Sequence, residues 1–69
     1  MKVLVEYRVS GLPSFFEERY RSKLPKPGDV IDQHVEGHLV RLVCKEPLGG
    51  SVYNTERQID QYIFRCERF

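Results

Sequence analysis

The chain holds 69 residues, with 11 Lys and Arg against 10 Asp and Glu, no Trp and two Cys. That length gives a single small domain, 1–69, with too little chain for a second. A net charge of +1 excludes both the overall basic bias of a histone-like DNA binder and the acidic bias of a nucleic-acid mimic. The 41% of hydrophobic residues can fill a small core, which sets the chain apart from a disordered one.

Residues 2–9 alternate. Val3, Val5, Tyr7 and Val9 fall on one side and Lys2, Leu4, Glu6 and Arg8 on the other, the period of a half-buried strand. Ser10-Gly11 ends it. Ser14-Phe15-Phe16-Glu17 then matches a helix-capping box, with Phe16, Tyr20 and Leu24 spaced as a packing stripe. The spacing predicts a short helix over about 14–23, stopped by Pro25 and Pro27, which cannot donate the next backbone hydrogen bond.

Lys26-Pro27-Gly28-Asp29 is a turn signal, and 30–46 reads as a hairpin around Glu36-Gly37. A two-residue loop there pairs Val35 with His38, Asp32 with Arg41 and Ile31 with Leu42. It puts Ile31 and Val35 on the face of Val40, Leu42 and Cys44, and sends the two imidazoles to opposite faces. Glu-Gly is a weaker turn dipeptide than Asn-Gly, so a four-residue loop of the same parity stays open. Residues 47–51 are a loop by composition, and Val52-Tyr53 can begin a short strand.

The C-terminal segment reads two ways. As a helix, Thr55-Glu56-Arg57-Gln58 is a capping box, and Ile59, Tyr62, Ile63 and Cys66 share a face. As a strand, Tyr62, Phe64 and Cys66 point one way, and Phe64 lies off the helical stripe. A turn or short helical piece at 55–60 followed by a strand at 61–68 is favoured. The expected class is α+β, a small curled antiparallel sheet with one short helix. Lys26-Pro27-Gly28-Asp29-Val30-Ile31 resembles strand openings in small SH3-like or OB-like barrels, which implies a partial barrel.

The residues argue against chemistry. His34, His38, Cys44 and Cys66 lack the paired Cys-x-x-Cys knuckle of a structural zinc site, and the histidine spacing falls across a turn, so no metal or other cofactor is expected. The cysteines lie in apolar strand contexts that suit buried thiols rather than nucleophiles, with a Cys44–Cys66 disulfide left open if their strands adjoin. No serine sits in a Gly-x-Ser-x-Gly elbow, and Gly49-Gly50-Ser51 lacks the Lys-Ser/Thr of a phosphate loop. An enzyme is not expected.

The apolar stretch Val3–Val5 is too short for a signal peptide, and no run approaches the roughly 18 residues of a membrane span. No membrane association and a cytoplasmic location with reduced thiols are expected. A domain this small buries only about 60% of its unfolded surface, which leaves homo-oligomerisation open.

The strongest local signal is the basic run Arg19-Tyr20-Arg21-Ser22-Lys23-Leu24-Pro25-Lys26, with four positive charges and no negative ones. Arg and Tyr are frequent interface anchors. The leading expectation is therefore a non-enzymatic protein-binding module, an adaptor or inhibitor, with Arg19, Tyr20, Arg21, Lys23 and Tyr53 as contact residues. The alternative is a single-stranded nucleic-acid-binding domain, because Arg beside aromatic residues suits phosphates and stacked bases.

Overall fold

The computed structural model describes all 69 residues. Its strands are β1 (Lys2–Val9), β2 (Phe15–Tyr20), β3 (Val30–Val35), β4 (His38–Pro47), β5 (Val52–Asn54) and β6 (Ile59–Arg68). They form one sheet in the order β2-β1-β6-β4-β3, with β5 also pairing β6. The sheet curls into a nearly closed, barrel-like shape around a core of Val3, Val5, Tyr7, Leu42, Cys44 and Phe64, with their neighbours.

The molecule is sheet-dominated, and its only helical piece is a 3-10 turn at Arg21–Lys23. This corrects the expected helix over 14–23 and, with it, the helical part of the α+β class. Residues 15–20 instead alternate half-buried and exposed with a strand's period. Ser14 does not cap a helix: its Oγ donates to Glu6 Oε2 at 2.9 Å. Glu17 reaches no backbone N–H of its own segment, and accepts from Tyr7 and Arg19 at 2.7 Å each. A local capping pattern loses here to pairing with β1, which supplies a strand's main-chain bonds and two charged or polar partners from outside the segment. Phe16 and Tyr20, expected to pack, are about half exposed.

The sheet is also not wholly antiparallel. β6 runs parallel to β1, with Leu4 beside Gln61 and Val9 beside Cys66, and antiparallel to β4 and β5 on its other flank. A register shift between Cys44 and Pro47 bends β4 before the 48–51 loop, after which β5 resumes along β6. The C-terminal segment is a turn followed by a strand, as favoured from sequence, with Gln58 at a positive φ of 54°.

The β3–β4 hairpin has the expected register. Val35 opposes His38, Ile31 opposes Leu42 and Asp32 opposes Arg41. Its loop is the two-residue one, with Glu36 at φ 51° and Gly37 at φ 82°. Two consecutive positive φ values are what a type I′ turn requires, and the right-handed twist of the flanking strands favours that turn. Glycine takes the second position freely, while Glu36 sits there at a conformational cost that the hairpin's pairing offsets. The alternation therefore puts Ile31 and Val35 inward with Val40, Leu42 and Cys44. His34 and His38 lie on opposite faces, and both are exposed.

Candidate interaction surface

The five residues expected to bind do not form one patch. Alternation along β2 splits them between two faces. Arg19 lies on the core-facing side, its Nε 2.7 Å from Glu17 Oε1 and its Nη1 3.0 Å from the carbonyl of Lys23. The same Glu17 oxygen accepts from the hydroxyl of the fully buried Tyr7 at 2.7 Å. Burial first, then the neighbouring Glu17 carboxylate, push that hydroxyl well above the ordinary tyrosine range. Arg19 is thus a structural clamp that anchors the 3-10 turn to the sheet.

Arg21 is similarly engaged. Its Nη2 lies 2.7 Å from Asp60 Oδ2, and its guanidinium sits 5.9 Å from the ring centroid of Tyr62, tying the end of β2 to β6. Lys23 is exposed and forms no ion pair. Tyr20 points to the outer face of β2, 54% exposed, with the Lys2 ammonium 5.6 Å from its ring centroid. Tyr53, 60% exposed, stands opposite Asp60 on β5 and lines a shallow groove with Met1, Lys2, Gln58 and Ile59. Lys2 therefore links the two exposed tyrosines at the end of the molecule where β1 begins.

Phe16 was missed by the sequence reading. It shares the outer face of β2 with Glu18 and Tyr20, half exposed, with the Arg57 guanidinium 6.0 Å from its ring centroid. Between Phe16 and Tyr20 lies an open groove of about 390 Å³ lined by Leu4, Ile59, Glu18 and Arg57. A period-two reading of 15–20 would have found this face, because it puts Phe16, Glu18 and Tyr20 opposite Glu6, Leu4 and Lys2.

β2 is also an edge strand. The Arg21 N–H bonds the Met1 carbonyl at 2.9 Å, which fixes the alternation so that odd-numbered residues of β2 bond β1. The main-chain N–H and C=O groups of Phe16, Glu18 and Tyr20 consequently point away from β1, where no strand pairs with them. The same three residues carry the exposed side chains and the free main-chain groups.

Beneath this face lies a hydrogen-bonded chain. Glu6 accepts from Ser14, from Arg8 at 2.7 Å and from Gln61 at 2.7 Å. Gln61 accepts from Asn54 at 3.0 Å, and Asn54 accepts from the Arg57 N–H at 2.9 Å. Glu6 and Gln61 are both buried. This chain fixes the turn that carries Arg57 over Phe16.

Arginine charge is mostly spoken for elsewhere. Of the seven arginines, Arg8, Arg19, Arg21, Arg41 and Arg65 lie in ion pairs, leaving Arg57 and Arg68. Arg65 grips Glu46 through two nitrogens, at 2.6 and 3.1 Å, and Glu67 at 2.6 Å. Its hydrogen bonds hold both carboxylates below their ordinary 4.5. A carboxylate depressed on folding adds stability above its unfolded value, and that stability is lost as pH falls through the folded value. Titration of the side-chain carboxyl carbons by NMR should place Glu46 and Glu67 below 4.5 in the folded protein, and R65A should raise both.

No family model, curated protein or solved structure matches this chain. No helix is long and apolar enough to cross a membrane.

Proposed function

We propose that the chain is a non-enzymatic protein-binding module that takes an extended segment of its partner along the outer edge of β2. The observation that carries this reading is the coincidence, at Phe16, Glu18 and Tyr20, of uncovered side chains with main-chain groups that no strand satisfies. A partner strand added there would gain regular main-chain hydrogen bonds and two aromatic anchors, while the Leu4–Ile59 groove would accept an apolar side chain between them. Glu18 and Arg57, one on each wall, would select the charge flanking that side chain. Tyr53 extends the surface toward β5. The reading places the chain in the cytoplasm, in keeping with two cysteines in place of a disulfide scaffold.

The test is capture from host lysate by the wild-type chain and by a Phe16→Ala, Tyr20→Ala double variant checked for an unchanged fold. A protein held stoichiometrically by the wild type should be lost from the variant, since each anchor is expected to contribute about 2 kcal/mol of affinity. Equal retention by both, or a β2-to-β2 homodimer in sedimentation, would sink the proposal.

A second reading, single-stranded nucleic-acid binding, draws support from Lys2 over Tyr20 and Arg57 over Phe16, cation–aromatic pairs on an open sheet face. The pairing of most arginines with acids weakens it. Anisotropy titrations with oligo-dT and oligo-U separate the two. Binding that falls steeply with salt and weakens in R57A favours nucleic acid, and no binding at physiological salt favours a protein partner.

A further inference from the structure

We propose that Cys44 and Cys66 are a redox-active pair that hydrogen peroxide closes into a cross-strand disulfide, locking β4 to β6 through the core. The two residues are direct partners across these antiparallel strands, and both thiols are free and buried.

The type of pairing matters. The Cys44 N–H bonds the Asp29 carbonyl at 2.8 Å, and the Cys44 carbonyl accepts from the Gly28 N–H at 2.8 Å. Both main-chain groups of Cys44 are thus spent on the β3 side. On the β6 side the Phe69 N–H bonds the Arg41 carbonyl at 2.8 Å, and alternation from there again makes 44/66 a non-hydrogen-bonded pair. In such pairs the Cα atoms approach to about 4.5 Å, the closest spacing an antiparallel ladder offers and within the range that a disulfide spans. The register shift that follows Cys44 leaves β4 free to twist locally, which accommodates the bridge.

The surroundings order the chemistry. Cys66 borders a cleft at the end of β1 lined by Val9, Ser10 and Arg65–Arg68, a route for a molecule as small as peroxide. Cys44 faces no such opening, and burial followed by its neighbour Cys66 pushes its thiol up to about 12. Burial also raises Cys66, but hydrogen bonds from Cys44 and from the Lys45 main chain work against that rise. Cys66 therefore reacts first.

Its thiol gives up a proton, and its sulfur attacks one peroxide oxygen. The S–O bond forms as the O–O bond breaks, and the departing hydroxide takes up the proton to leave as water. The Cys44 sulfur, losing its own proton, then attacks Cys66 sulfur. The S–S bond forms, the S–O bond breaks, and the hydroxyl leaves with that proton as a second water. Two thiols have lost two electrons, and one peroxide has become two waters.

The folded wild-type chain is treated with hydrogen peroxide, then unfolded and alkylated with a maleimide. The expected product is a monomer lighter by two hydrogen atoms with neither cysteine alkylated, and dithiothreitol should restore both thiols. Monomers that gain oxygen at either cysteine without an internal bridge would overturn the proposal. So would two intact thiols under a peroxide exposure that bridges the urea-unfolded chain. Equilibration against reduced and oxidised dithiothreitol then separates a preformed pair from chance closure. The bridge should be favoured about thirtyfold or more in the folded over the urea-unfolded chain, the lower end of what native disulfides confer. An equal or smaller preference in the folded chain would refute it.

Discussion

Glu6→Ala should lower the free energy of unfolding by about 3 kcal/mol, read from urea or thermal denaturation. For a domain of this size that is a large part of the total, since stability runs at roughly 0.05–0.15 kcal/mol per residue, and the melting temperature should fall by roughly 15 °C. Glu6 is only 6% exposed, and its two oxygens accept three hydrogen bonds, from Ser14, Arg8 and Gln61. Alanine would strand the buried Gln61 amide and release Ser14, loosening the β1–β2 connection and the β6 pairing together. Arg8 is half exposed and would turn to water, which keeps the loss at the lower end of that for a broken buried ion pair. Glu6→Gln is the informative companion. A single amide oxygen cannot serve all three donors, so about half the loss should appear. A loss under about 1 kcal/mol for alanine would show that the network does not hold the sheet together.

Leu4→Ala should cost about 3 kcal/mol, comparable to truncating a residue in the main core. Leu4 points to the opposite side of β1 from Val3, Val5 and Tyr7, yet it is 1% exposed. It borders the groove shared with Glu18, Arg57 and Ile59, and with Glu6 also buried, β1 is buried on both faces. Leu39→Ala, at a site 55% exposed on β4, serves as the control and should stay within about 0.5 kcal/mol of wild type. Equal, small losses at both sites would mean that this second face of β1 adds no packing to the fold.

These two residues also mark where the sequence stopped being informative. The alternation of residues 2–9 correctly sorted Val3, Val5, Tyr7 and Val9 inward, but a strand buried on both faces cannot be told from a half-buried one when its second face includes Glu6. The β3–β4 hairpin was legible to individual pairs because parity and a two-residue loop are local properties. The β1–β6 pairing was not, since nothing within either segment encodes which distant strand it joins or in which direction. The 14–23 segment was misread because Ser14 and Glu17 satisfy a local pattern while their partners, Glu6 and Tyr7, lie on another strand.

The candidate surface suffered from the same error. Reading 19–26 as one basic run hid the alternation that turns Arg19 toward the core and Tyr20 outward, and the expected helical stripe packed Phe16, which the structure leaves half exposed. Tyr20 and Tyr53, two of the expected contact residues, are exposed and lie on one end of the molecule with Lys2 between them. Arg19 and Arg21, expected as contact residues from their charge, are held by acids within the fold.

The strand that unites the molecule is β6, flanked by β1 on one side and by β4 and β5 on the other, and it is the last of the six to be synthesised. Two hairpins can form earlier, but they share no strand until β6 arrives between them. While residues 59–68 remain inside the ribosomal tunnel, Val5 and Leu42 have no common interior to occupy, so this domain stays open to chaperones and proteases until β6 emerges.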